Sequence, residues 1–260
     1  MSEALLHPYP NGYPAESRFR YIGVRPMRGE RPKTPQQRKF IDVIHGILGP
    51  ELKALSVKGN LLEPDRIHFL PPSVYDRDIS SSSGGVYYGE SDSAVIRLAG
   101  RGQTLSMLAE EMLHGASYQS LLYSQQQGVL GVRIGYELIM PGQRLYQSLN
   151  EGIINIWKRQ ILAANLSKLR DSFHLSDREV GELLPTGFND LDYPFYRSYI
   201  HSLISGIGLA TGRSIAEIHR QFYQGLFMQE PPTFDLISRV WGEDMITSLA
   251  DRAITLFKAN

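Results

Sequence analysis

The sequence predicts an α+β fold, and three observations carry that reading. β-type runs fall between residues 66 and 138, one long amphipathic segment interrupts them, and everything after about Arg144 reads helical. With 260 residues, 42% of them hydrophobic, the chain can bury the core of one large domain.

Residues 1–34 are rich in proline, glycine and arginine (Arg18, Arg20, Arg25, Arg28, Arg31) without sustained periodicity, and read as an extended arm. The folded domain is expected over 35–260. Thr34-Pro35 is an N-cap followed by proline at the first helical position. Phe40, Ile41, Ile44, Ile47 and Leu48 then recur at helical spacing to about Leu55. Arg66-Ile-His-Phe-Leu70 is a short strand stopped by Pro71-Pro72, and Ser80 to Gly85 is loop. Val86–Tyr88 and Ala94–Leu98 bracket a turn and predict a hairpin. A long helix is expected from about Thr104 to Gln125, then a β-rich piece, Val132 to Leu138, closed by Pro141-Gly142. Ser176-Asp-Arg-Glu179 and Ser214-Ile-Ala-Glu217 are capping boxes, in which hydroxyl and carboxylate each satisfy an orphan backbone N–H. Gly206-Ile-Gly208-Leu-Ala-Thr-Gly212 follows no strand and reads as a helix end rather than a nucleotide loop.

Charge and composition exclude several functions. Basic and acidic residues number 27 each, so no global field draws the chain to nucleic acid or an anionic membrane. No apolar run approaches the ~18 residues of a spanning helix. Met1 to Tyr13 has no apolar core and is broken by Pro8 and Pro10, so no secretory signal is expected and a cytoplasmic location is the default. The chain has no cysteine, which excludes disulfides, cysteine nucleophiles and cysteine-ligated zinc.

Chemistry concentrates in Glu110-Glu111-Met112-Leu113-His114. Glu110 and His114 are four residues apart, so they project from one helix face and can touch a common atom. Glu111 lies about 100° round the helix, placed to hold a water beside that atom. Two ligands flanking a general base is the geometry of His-Glu-x-x-His. Adjacent glutamates on an amphipathic helix are more often a solvated face, so the pentad needs its context.

Thirty-seven residues after His114, Leu149-Asn150-Glu151-Gly152-Ile153-Ile154-Asn155 opens another helix. With the hairpin Gly85 to Leu98, the stretch Thr104 to Gln125, and Arg133-Ile-Gly-Tyr136, this order resembles the gluzincins, in particular small bacterial zincin-like domains. The likeness continues into Phe222-Tyr-Gln-Gly225 and Val240-Trp-Gly242. It implies a zincin-like fold, with a small antiparallel or mixed sheet packed on the active-site helix and a mostly helical C-terminal half. It also implies a zinc peptidase acting on peptide or protein substrates, with His114 and Glu151 as ligands and Glu111 as the base that activates water.

The departure from the family is Glu110, which stands where gluzincins have their first histidine. One turn after the third ligand they carry an acidic residue that orients that histidine; here Asn155 stands there and is expected to donate its amide to Glu110. Three carboxylates around one imidazole repel by about 3 kcal/mol per pair at ~5 Å and an effective dielectric of ~20, so a cation or a retained proton is required. Zinc is the first expectation, with manganese or iron competing better than usual for a harder donor set. The alternative is a metal-free, catalytically inactive zincin fold serving as a binding module. Glu111-x-x-His114 also fits half of a di-iron bundle, but no second Glu-x-x-His is present. Tyr193, Tyr196, Tyr199 and His201 cluster on a helix beginning near Asp192, and Tyr196 or His201 is the candidate donor to an oxyanion. His45, His68, His174 and His219 have no partner spacing that suggests ligation.

Overall fold

The computed structural model describes residues 5–9 (backbone only), 30–57, 59–80, 83–89, 92–124, 128–140, 143–184 and 194–256. Two sheets precede a helical second half, as an α+β chain requires. Strand β1 (Leu5–Tyr9) lies within the stretch read as an arm, and most of the rest of that stretch falls outside the described residues. Helix α1 (Pro35–Ala54) starts at the expected N-cap, which the structure completes as a capping box, Thr34 accepting from the Gln37 backbone N–H while Gln37 reaches back. Strand β2 (Ile67–Leu70), helix α2 (Pro72–Asp78), and strands β3 (Gly85–Tyr88) and β4 (Ser93–Arg97) follow. They make a mixed sheet ordered β2-β4-β3, with β2 parallel and β3 antiparallel to β4.

Helix α3 (Arg101–Ala116) is buried on nearly every side from Gly102 onward, a central helix rather than a surface one. It ends nine residues before the expected Gln125. The Ser117 hydroxyl caps the His114 carbonyl at 2.7 Å, and the Gln119 amide takes the Gly115 carbonyl at 2.8 Å. The Tyr118 N–H leaves the helix for Leu226 O. The residues beyond become β5 (Gln119–Ser124), which with β6 (Gly128–Ile134), β7 (Glu137–Met140) and β8 (Gln143–Leu145) forms an antiparallel meander. β1 extends it on the far edge of β5, Leu6 opposite Leu122.

Helix α4 (Gln147–Ala164) enters from Tyr146, held in the left-handed region at φ 57°. Helices α5 (Leu166–Phe173), α6 (Asp177–Leu183), α7 (Pro194–Thr211), α8 (Ile215–Gly225), α9 (Pro232–Trp241) and α10 (Glu243–Leu256) complete the chain. The Ser176 and Ser214 capping boxes form as expected at the starts of α6 and α8. Gly206 and Gly208 lie inside α7, and the helix stops one residue before Gly212, which takes φ 69°. Among the described residues no helix is long and apolar enough to cross a membrane.

One core joins these layers, with Ile41, Ile44, Leu105, Leu108, Met112, Leu149, Ile153 and Phe222 all buried in it. The Arg133-to-Tyr136 turn is tied into that core. The Tyr136 hydroxyl donates to Phe222 O at 2.8 Å and lies 2.7 Å from the Thr233 hydroxyl. Arg133 donates to the carbonyls of Gly135 and Met228 and sits 5.0 Å over the Tyr118 ring. Gly225 makes room for this network: a Cβ there would lie 2.0 Å from the Tyr136 hydroxyl. Gly225→Ala should therefore lower unfolding stability by about 2–3 kcal/mol through overpacking. Urea unfolding measures it, and a midpoint equal to wild type would contradict the packing argument.

Candidate metal centre

Helix α3 supplies Glu110, Glu111 and His114, and α4 supplies Glu151; all four are buried. One ligand atom each from Glu110, His114 and Glu151 lies within 4.8 Å of the others. His114 Nε2 and Glu151 Oε2 are 3.4 Å apart. Two ligands on a tetrahedral ion with bonds of ~2.0–2.1 Å are separated by about 3.3 Å, so this pair already has the spacing an ion would require. The structure thus brings together the three residues expected as ligands.

Glu110 does not pair with Asn155 as expected. Its Oε2 accepts from Lys158 Nζ at 2.6 Å, and Lys158 is 1% exposed. Asn155 is fully buried, and neither its amide nitrogen nor its amide oxygen finds a hydrogen-bond partner. The difference is one of reach. Asn155 and Lys158 follow Glu151 by four and seven residues, so all three share a face of α4. The short amide falls short of Glu110, whereas four methylenes carry the ammonium across. Sequence reasoning missed Lys158; its only signal was the seven-residue spacing from Glu151.

The ring of His114 is fixed by Asn150, which sequence reasoning also left without a role. Its amide lies 3.4 Å from His114 Nδ1, and its Oδ1 accepts from the Tyr136 N–H at 3.1 Å. A Cβ on Gly135 would fall 2.5 Å from that Oδ1, and Gly135 takes φ 58°, so the turn needs glycine on both counts. With Tyr136 holding Oδ1, the Asn150 amide nitrogen faces His114 Nδ1 and suits the tautomer with its proton on Nε2. A doubly protonated ring, or one whose Nε2 is a ligand, needs an acceptor at Nδ1. A half-turn of the amide would supply one only by giving up the Tyr136 N–H bond to Oδ1.

Burial and crowding set the protonation states. Desolvation pushes the Glu111 carboxyl up to about 8, with Glu110 and Glu151 adding to the rise and His114 opposing it. Desolvation would lower His114, but the charge and hydrogen bond of Glu151, with Glu111 and Glu110, raise it to about 9. Burial would raise Glu151, yet the His114 charge and hydrogen bond, helped by Arg144 and Lys158, bring it below the usual carboxylate value. Near pH 7 these shifts leave Glu151 ionised, His114 cationic and Glu111 protonated, while Lys158 is bonded to Glu110.

A fourth carboxylate, Glu137, lies at the start of β7 beside this group. Burial and the Glu151 charge raise it to about 7 against the opposing pull of Arg144, which donates to it at 3.0 Å. Tyr196 is buried at the cluster edge, its phenol raised by burial and by the charges of Glu151 and Glu137. His201 is elsewhere. It is exposed on α7, its ring 5.9 Å from that of His219, and desolvation and the Arg197 charge lower its pKa. The helical register that carries Tyr196 inward turns His201 away, so of the two residues expected as oxyanion donors Tyr196 is the one beside the cluster. Tyr193 lies outside the described residues.

Comparison of the chain with protein-family models, with curated proteins and with solved structures found no match in any of the three.

Glu111 and His114 both hold protons more tightly folded than unfolded. Glu111's contribution to stability is complete below pH 4.5 and lost as pH rises through about 8; that of His114 is lost between 6.5 and about 9. In chelator, Glu111→Gln should gain on wild type as pH rises from 5 to 8, by on the order of a few kcal/mol, and the gain should level off above. Thermal unfolding across that range reads the difference; a gap independent of pH would show that Glu111 is ionised throughout.

Proposed function

We propose that the chain is a metal-dependent hydrolase of the gluzincin type, with a zincin-like fold, acting on a peptide bond in a peptide or protein substrate. The observation that carries this reading is the convergence of Glu110, His114 and Glu151 to within 4.8 Å in a buried place. The order of elements supports it: a small mixed sheet, then α3, a β meander, then α4 with the third carboxylate.

Glu110, His114 and Glu151 would hold the ion. When bound, it supplies Lewis acidity to the carbonyl under attack and eases deprotonation of water. Glu111, protonated in the metal-free cluster, would lose that proton beside a bound cation and as a carboxylate take the proton from water and return it to the leaving amine. Asn150 keeps the His114 ring in register, and Lys158 holds one oxygen of Glu110. Tyr196, a phenol kept protonated by burial, donates to the developing oxyanion. Zinc is the ion we favour; two carboxylates and one imidazole also suit manganese or iron.

Charge bookkeeping makes the fit testable. Without an ion, two carboxylates offset Lys158 and His114. With a divalent ion, neutral His114 and ionised Glu111, the charges of the same five groups and the ion again cancel. An ion therefore replaces two protons, and zinc uptake near pH 7 should release about two protons, seen as a buffer-dependent calorimetric heat. Native protein purified without chelator should carry about one metal ion per chain, and Glu111→Gln should keep the ion while losing at least ~100-fold in peptide hydrolysis. Full activity in that variant would remove Glu111 from the mechanism.

A second reading has an observation of its own. Lys158 and protonated His114 neutralise Glu110 and Glu151 with no ion at all, which suits a catalytically silent zincin fold serving as a binding module. Protein that takes up neither zinc nor manganese in solution would favour it.

A further inference from the structure

Lys158 does more than neutralise Glu110. We propose that it is a built-in competitor for the divalent ion, so that this one residue sets how tightly the cluster holds metal. The inference rests on the metal-site reading above.

Three observations carry it. The ammonium is bonded at 2.6 Å to Glu110, one of the three residues whose ligand atoms converge. Lys158 is 1% exposed, so its charge stays beside the site rather than withdrawing into solvent. It shares the face of α4 that carries Glu151, seven residues away and just under two turns of helix, so it is directed at the cluster by the backbone itself.

Two physical effects then act in the same direction. A cation accepted by the other oxygen of the same carboxylate would stand within about 6 Å of the ammonium, inside one Debye length and without intervening bulk water. Like charges at that range repel. The ammonium also draws electron density from Glu110. Partners of metal ligands usually do the opposite: a carboxylate or carbonyl behind a histidine raises its basicity. Here the partner is a full positive charge, and it makes Glu110 a poorer donor. Lys158 supplies the charge that lets a buried glutamate stand in the first ligand's place, and weaker metal affinity follows from the same contact.

Lys158→Met in the full-length chain removes the charge while keeping most of the apolar stem. Metal-stripped wild type and variant are titrated with zinc chloride and with manganese chloride by calorimetry, alongside thermal unfolding at increasing metal. The variant should bind at least about 10-fold tighter and show the larger metal-induced rise in Tm. Lys158→Arg, which keeps the charge, should stay close to wild type. If metal binds wild type and K158M equally, or K158M more weakly, the competitor role is overturned and the metal-site reading survives. Binding by K158M alone supports the role. If neither binds, both fall. Should K158M fold only with zinc present, that also supports the role; failure to fold even in excess zinc counts against it. The charge-balanced double variant E110Q/K158M is expected to lose the gain, and retaining it would show that the Glu110 contact is not the cause.

Discussion

Everything at the centre of this molecule depends on balancing buried negative charge. Two helices far apart in sequence place Glu110, Glu111 and Glu151 around His114 where water is excluded. Such a group folds only if protons or cations answer each ionised carboxylate. Lys158 answers Glu110, His114 answers Glu151, and Glu111 keeps its proton. The same balance would let a divalent ion take the place of the retained protons.

The remainder of the fold reads as support for that pairing of helices. The β6–β7 turn exists in this form because Gly135 permits it, and it delivers the Tyr136 N–H to Asn150, which meets His114. The other end of Tyr136 is clamped to α8 and α9 through Phe222 O and Thr233. A path of hydrogen bonds and close packing thus runs from the late helices to the imidazole. Gly85 at the start of the edge strand β3 lies against Glu111; a Cβ there would be 2.6 Å from its Oε1. Sheet and meander therefore each reach the acidic cluster.

How much of this was legible in the sequence follows from the length scale of each signal. The N-cap at Thr34 and the capping boxes at Ser176 and Ser214 are local, and each forms as read. The β3–β4 hairpin and the α+β order were equally local or periodic. Glu110 and His114 were readable because four residues fix a helix face. Glu151 needed the likeness to gluzincins, since no spacing rule joins residues 37 apart. The end of α3 was misplaced because Ser117 and the Leu226 carbonyl terminate it, and the second of these is distant in the chain. Asn155 was assigned to Glu110 by helical spacing alone; spacing gives a face, not a reach, and the longer side chain of Lys158 prevailed. Glu137 and Asn150 were silent because their importance comes entirely from what the tertiary fold sets beside them.

The pairing of β1 with β5 changes where the folded unit begins. A protein expressed from residue 35 onward would leave the outer edge of β5 without its neighbour, a row of backbone amides and carbonyls turned to solvent. Such an edge invites a strand from another molecule. Self-association of a shortened chain would then report a missing seam in the sheet, and nothing about how the intact protein assembles.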